Sequence, residues 1–134
     1  MNTKQLGNIG ELKVATEFLK LGYRVYFPYG DNSSVDLIIE KDYKLYKVQV
    51  KTSKAKLNGK VSFSLRSSMV NYEKRYSVEE IDYFALYNFT LDECYIIPFT
   101  TKSEVTIRCT PTKNLQKKGI TFNTDVLLSK FKLT

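Results

Sequence analysis

Between residues 7 and 51 the apolar pattern changes period once, from helical to strand-like, and that switch fixes the order in which the chain can lay down its layers. Over residues 8–21, Ile9, Leu12, Ala15, Phe18 and Leu19 mark an amphipathic helix, and Gly22 follows where a left-handed cap would end it. Residues 23–28 then alternate Tyr23, Val25 and Phe27 with Arg24 and Tyr26, as a half-buried strand does. The run Tyr29-Gly30-Asp31-Asn32-Ser33-Ser34 is turn chemistry, Val35 to Ile39 is rich in β-formers, and Asp42-Tyr43 closes a hairpin into a strand over residues 45–52.

Further along, residues 61–66 alternate again, and an irregular basic and aromatic stretch surrounds Tyr72, Arg75 and Tyr76. Ser77-Val78-Glu79-Glu80 has the Ser-x-x-Glu form that opens a helix, here a short one. Residues 83–89 and 94–99 read as a hairpin, residues 105–110 as a strand and residues 124–131 as a closing helix. The order implies an α/β (α+β) fold, one central mixed β-sheet flanked by helices. With 134 residues, 43% of them hydrophobic and no linker or repeat, residues 1–134 are expected to form a single domain with a real core.

Apolar runs are too short to span a bilayer and the N-terminus does not open as a signal peptide, so a cytoplasmic, intracellular protein is expected. Cys94 and Cys109 lie in separate predicted strands without a C-x-x-C partner, which argues against zinc and against a disulfide framework. The absence of histidine removes His-based hydrolytic triads and His-ligated zinc. Hydrolytic chemistry here would run on carboxylates, amides, lysines and a bound metal.

Those groups occur at suggestive positions. Asp36 sits between Val35 and Leu37, where a carboxylate costs several kcal/mol, on the order of other buried charges, unless a cation compensates it. Period-two geometry places Gln49 and Lys51 on one face of their strand and Val48 and Val50 on the other. Glu11 lies in the Gly7-x-x-Gly10-Glu11 stretch of the first helix. Each also has a structural reading: Glu11 as a helix-dipole partner, Asp36 as a turn cap, Gln49 and Lys51 as the polar face of an edge strand.

Charge is concentrated in the same region. Residues 41–60 hold seven lysines against the single acid Asp42, and Lys113, Lys117 and Lys118 form a second cluster. A phosphate backbone is one reason for such clustering and a solvated face is the other. Lys54, Lys56, Lys60 and Arg66 are first candidates for DNA contact, followed by Arg75, Lys113, Asn114 and Gln116. Arg, Asn and Gln can read base edges, whereas lysines in a run more often grip phosphate.

Taken together, Glu11 on a helix, Asp36 and the Gln49-Val50-Lys51 strand resemble the PD-(D/E)XK nuclease superfamily, with Gln49 standing where an acidic residue is usual. The glutamine, with flanks such as Gly22-Tyr23-Arg24-Val25-Tyr26 and Tyr95-Ile96-Ile97-Pro98, is similar to the branch of group I intron homing endonucleases. The resemblance implies a restriction-endonuclease-like core and a Mg²⁺-dependent endonuclease acting on double-stranded DNA, with Mn²⁺ able to substitute. It also implies a homodimer or homotetramer, a catalytic set of Glu11, Asp36, Gln49 and Lys51, and one or two metal ions on Asp36, Gln49 and Glu11. A Holliday-junction resolvase and a DNA-binding module without strong catalysis are the competing readings.

Overall fold

Asn2 starts the first helix well before its apolar stripe begins. Its Oδ1 accepts from the Gln5 backbone N–H at 2.8 Å while Gln5 Oε1 accepts from the Asn2 N–H at 3.0 Å, a reciprocal box that opens α1 (Thr3–Lys20). Leu21 caps the far end, and Gly22 takes φ +91°, the left-handed conformation expected there. The computed structural model describes residues 1–30, 33–68, 73–111, 114 and 117–133, with the side chains of 67, 68 and 73–75 outside the described set.

The buried stripe of α1 is Gly10, Val14, Ala15 and Phe18, whereas Leu12 and Leu19 of the expected stripe are exposed. Two residues beyond Gly10 the helix has turned about 200°, so Leu12 leaves the face that Gly10 commits to the sheet. That sheet has the order β1-β2-β3-β7-β8. Its strands are β1 (Arg24–Tyr26), β2 (Leu37–Lys41), β3 (Lys44–Ser53), β7 (Tyr83–Asn88) and β8 (Glu93–Pro98). Neighbours are antiparallel except β3 and β7, so the central sheet is mixed, as expected. Asp42 and Tyr43 both adopt positive φ, 52° and 66°, and close the two-residue β2–β3 hairpin.

A parallel pair needs a long crossover, usually helical. Here it consists of β4 (Lys60–Ser64), β5 (Arg66–Ser68) and β6 (Glu73–Arg75), and β4 pairs with β9 (Glu104–Arg108) into a two-stranded ribbon. The central sheet is therefore covered by α1 on one face and by the ribbon on the other, with no second α-helix among the described residues. Val14, Phe18, Leu37, Val48 and Leu128 belong to the helix-side core; Val61, Phe63, Phe84, Leu86 and Ile107 belong to the ribbon-side core. Fully burying each such side chain contributes about 1.5–3 kcal/mol. Both cysteines are free, and no helix among the described residues is long and apolar enough to cross a membrane.

Two expected helices do not form. Residues 124–131 make 3₁₀ turns at Asn123–Asp125 and Leu128–Lys130, because the segment is drawn into tertiary pairing: the Ile96 N–H donates to the Val126 carbonyl and Tyr95 bridges Leu127. At Ser77 only half of the capping box is made: Glu80 Oε1 accepts from the Ser77 N–H at 3.2 Å and from its hydroxyl at 3.1 Å, while the Glu80 N–H donates to the Ser77 carbonyl at 3.0 Å. Only a turn results, since Asp82 already belongs to the sheet, its carboxylate accepting from the Lys47 N–H at 2.8 Å.

Candidate active site

The site begins where β2 and β3 part. Pairing ends at Leu37 and Val48, with one further bond from the Asp36 N–H to the Val48 carbonyl at 2.9 Å. Asp36 therefore precedes the strand that was expected to contain it. Its Oδ2 accepts from the Val50 N–H at 2.8 Å, so a side chain takes over where the backbone ladder stops.

Glu11 meets Asp36 from the helix. The approach depends on Gly10: a Cβ there would lie 1.9 Å from Thr52 Oγ1 and 3.2 Å from Thr52 Cβ, so only glycine lets α1 lie this close to β3. The Glu11 carboxyl hydrogen-bonds that of Asp36. Burial, followed by the negative charge of Asp36 and that hydrogen bond, raises the Glu11 pKa to about 7. Asp36 is raised as well, by burial, against the lowering effects of the Val50 N–H, Glu11 and Lys51. Near neutrality the two carboxyls hold a proton between them, as close acidic pairs do.

Gln49 is buried in the alternate register of β3, and its Oε1 has no hydrogen-bond partner among the described residues. Leaving such an oxygen unpaired costs about 1–3 kcal/mol, and an electrophile is the natural partner for it. Lys51 shares that face. Its Nζ donates to the Arg66 carbonyl at 2.8 Å and to Tyr76 Oη at 3.3 Å, lying 5.2 Å from the Tyr76 ring centroid. Burial lowers its pKa, partly offset by Asp36.

Among the described residues no group of three or more His, Cys, Asp or Glu side chains forms a metal site. Two carboxyls and an unpaired amide oxygen nevertheless fit a hard cation, since Mg²⁺ commonly takes one or two carboxylates and fills its octahedron with water and phosphate. The DNA-contact candidates are less unified. Lys54 lies 5.7 Å from the Phe89 ring, on the helix-side core, while Lys56 and Lys60 are exposed beyond β3. Arg66 is half-buried beside Lys51, and Asn114 lines a groove with Lys60. Arg75 is described only as part of β6, and Lys113 and Gln116 lie outside the described residues.

Sequence reasoning missed the groups that hold this site in place. Glu80 Oε2 accepts from Ser34 Oγ at 2.6 Å while Oε1 holds Ser77, so one carboxylate joins the segment leading to Asp36 with the segment carrying Tyr76. The Ser77-x-x-Glu80 motif was visible as a helix signal, but nothing local pointed to Ser34.

A five-stranded mixed sheet with one helix against it, and Glu11, Asp36 and Gln49-x-Lys51 at the point where strands part, define the restriction-endonuclease-like class of fold. The chain belongs to the PD-(D/E)XK endonuclease family, whose pattern matches residues 1–128. Among solved structures, the bacterial homing endonuclease I-Ssp6803I is similar with a TM-score of 0.74 at 28% identity, over 88% of this chain and 84% of that one. Protein 5.3 of Escherichia phage T7 is 48% identical over 54 residues, 40% of this chain and 46% of the phage protein, so the match spans less than half of that relative. A UPF0102 protein of Caldicellulosiruptor bescii is 32% identical over 100 residues, 69% of this chain and 76% of that protein.

Proposed function

We propose that this nuclease is a divalent-metal-dependent endonuclease that hydrolyses phosphodiester bonds in duplex DNA in the manner of a homing enzyme, with Glu11, Asp36, Gln49 and Lys51 as its site in one domain. The observation that carries the reading is the Glu11–Asp36 carboxyl pair beside a buried, unpaired Gln49 Oε1. Similarity to a bacterial homing endonuclease supports the choice of substrate.

Asp36, Gln49 and Glu11 would hold Mg²⁺, with Mn²⁺ as a substitute. When bound, the ion supplies Lewis-acid polarisation of the phosphate and a more acidic water. Asp36, whose Oδ2 accepts from the Val50 N–H, would hold the cation through the rest of its carboxylate, and Glu11 would join it as a carboxylate once ionised. Gln49 contributes a neutral oxygen, so the donor set carries one charge fewer than an all-carboxylate site. Lys51 faces the negative charge that develops on the phosphate, and its lowered pKa increases the share of neutral amine able to take a proton from water. Cutting both strands needs two such sites, which makes a two-fold homodimer or homotetramer the working form.

Purified protein incubated with a pool of linear duplexes and with a four-way junction, in Mg²⁺ and in EDTA, tests this directly. Discrete Mg²⁺-dependent cuts in linear duplex are expected. Cutting confined to the junction would make the protein a resolvase, and binding without cutting either substrate would count against an enzyme.

The raised pKa of Glu11 gives the metal effect a pH window. In metal-free protein the folded carboxyl stays protonated up to about 7 while the unfolded one ionises well below that. Its contribution to stability is therefore full in acid and lost as pH rises to about 7. In EDTA, the Tm of Glu11→Gln relative to wild type should climb from pH 5 to pH 8. The Tm gain on adding Mg²⁺ should grow over the same interval in wild type and flatten in the variant. Parallel thermal melts that keep a constant separation across that range would remove Glu11 from the ligand set.

A further inference from the structure

The ribbon that covers the second face of the sheet has an outer surface with an electrostatic defect. Val61, Phe63 and Ile107 turn inward, so the alternating residues Lys60, Ser62 and Ser64 of β4 face outward opposite Arg108, Thr106 and Glu104 of β9. Lys60 is thereby registered against Arg108, and like charges directly opposite on neighbouring strands destabilise a ribbon. Among the described residues neither makes an ion pair. Arg108 is also held in place, its Nε donating to the Thr110 carbonyl at 2.8 Å and its Nη2 to the Pro111 carbonyl at 3.2 Å. Next along the ribbon, the Ser62 and Thr106 hydroxyls are 3.0 Å apart. An open groove of about 480 Å³ runs beside them, with Lys102, Asn114 and one acid, Glu104, also in its wall.

We infer that the outer face of the β4–β9 ribbon is a duplex-DNA contact surface, in which Lys60 and Arg108 grip backbone phosphate and the Ser62–Thr106 hydroxyl pair faces the groove. Glu104 also lies on this face, at the far end of the register opposite Ser64, so it does not ion-pair the Lys60–Arg108 pair, and an immobilised guanidinium beside an ammonium matches an anion with several oxygens. A two-stranded ribbon fits the major groove of B-form DNA, about 12 Å wide, whereas the deep and narrow major groove of A-form RNA excludes it. The ribbon is continuous with the candidate site, because β4 leads through Leu65 to Arg66, whose carbonyl receives Lys51. Six residues of extended chain reach at most about 20 Å, so Lys60 and Arg108 would contact backbone within about six base pairs of the cut. The inference rests on the endonuclease reading for its substrate and adds a contact surface that Lys60 alone did not reveal.

The test is a salt titration of binding to a fluorescent duplex of about 30 base pairs in EDTA, with Mg²⁺-dependent cleavage by the wild type assayed in parallel. For Lys60→Gln/Arg108→Gln the slope of log affinity against log salt should become shallower by about 1.8, from about 0.9 for each lost phosphate contact. Affinity at low salt should fall tenfold or more. Lys130→Gln/Lys132→Gln removes the same charge from the segment on the helix side and should leave the slope near wild type. Lys60→Glu, which turns the like-charge pair into an opposite one, should also lose affinity while keeping a Tm at or above wild type. A Tm below wild type would remove like-charge strain as the argument for an anionic partner. If the wild type binds and cuts while the ribbon variants match it in affinity and slope, the inference fails and the endonuclease reading stands. If the wild type neither binds nor cuts duplex, both fall; equal ribbon-dependent binding of double-stranded RNA would overturn the assignment to DNA.

Discussion

Asp36→Asn is expected to lower Mg²⁺-dependent cleavage on the order of 10³-fold while leaving the fold intact, as judged by single-turnover assays beside thermal melts. The substitution is nearly isosteric and separates two roles that Asp36 combines. Its Oδ2 supports β3 by accepting from the Val50 N–H, and an asparagine carbonyl can do the same. What asparagine cannot supply is the charge a cation needs. Removing that charge also ends the repulsion that helps raise Glu11, so in EDTA near pH 8 the Tm of the variant should equal or exceed that of wild type. Asp36→Ala would lose both functions and should melt lower. Cleavage by Asp36→Asn within tenfold of wild type would show that Asp36 is only the strand support, and the site would have to be sought elsewhere.

The expected loss in Asp36→Asn also depends on groups that do not touch the carboxylate. Ser34 and Ser77 converge on Glu80, and Tyr76 adjoins Ser77 and receives Lys51. Movement of the segment before Asp36 is thus resisted through Glu80 by the segment that holds Lys51. A carboxylate just before β2 and a lysine on β3 keep their separation by this side-chain tie as well as by the sheet.

Local signals were legible in the sequence where the chain decides its conformation within a few residues. Gly22 ends α1, Asp42-Tyr43 turns the β2–β3 hairpin, and residues around 90–93 turn β7 into β8, all as the residue types imply. Elements whose form depends on distant partners were not legible. The Leu-rich closing segment looked helical, yet its Val126 carbonyl is taken by Ile96 of β8 and Leu127 bridges Tyr95. Likewise the strand expected over residues 61–66 forms as β4 over residues 60–64, but its departure from the central sheet to pair with β9 was not legible, so the Lys60–Arg108 register stayed hidden. In the candidate site, Glu11, Asp36, Gln49 and Lys51 could be named from order and period. The dependence of Glu11 on Gly10, and of Lys51 on Tyr76, is a matter of three-dimensional approach.

That approach makes Gly10→Ala the most informative change outside the carboxylates. In an unencumbered helix, alanine for glycine stabilises by about 1 kcal/mol. Among the described residues nothing lies within 4 Å of a Cβ added at Gly7, so Gly7→Ala should show that gain. At Gly10 the same methyl would sit 1.9 Å from Thr52 Oγ1 and 3.5 Å from Tyr87 Cβ. Thr52 is branched at Cβ, and rotating its hydroxyl away brings other substituents towards the helix while Cβ itself stays within 3.2 Å. Overpacking of this kind costs about 1–3 kcal/mol and sometimes more; the 1.9 Å approach puts Gly10 at the upper end, so the net loss should reach about 2 kcal/mol after the helix gain of about 1 kcal/mol, or roughly 6–10 °C in Tm. Activity should fall further than stability, because α1 must retreat from β3 and carry Glu11 away from Asp36. Combining Gly10→Ala with Thr52→Ala removes the hydroxyl and should restore most of the Tm. If Gly10→Ala instead melts as high as Gly7→Ala and cuts as well, α1 does not need its close approach to Thr52, and Glu11 is not held to Asp36 by it.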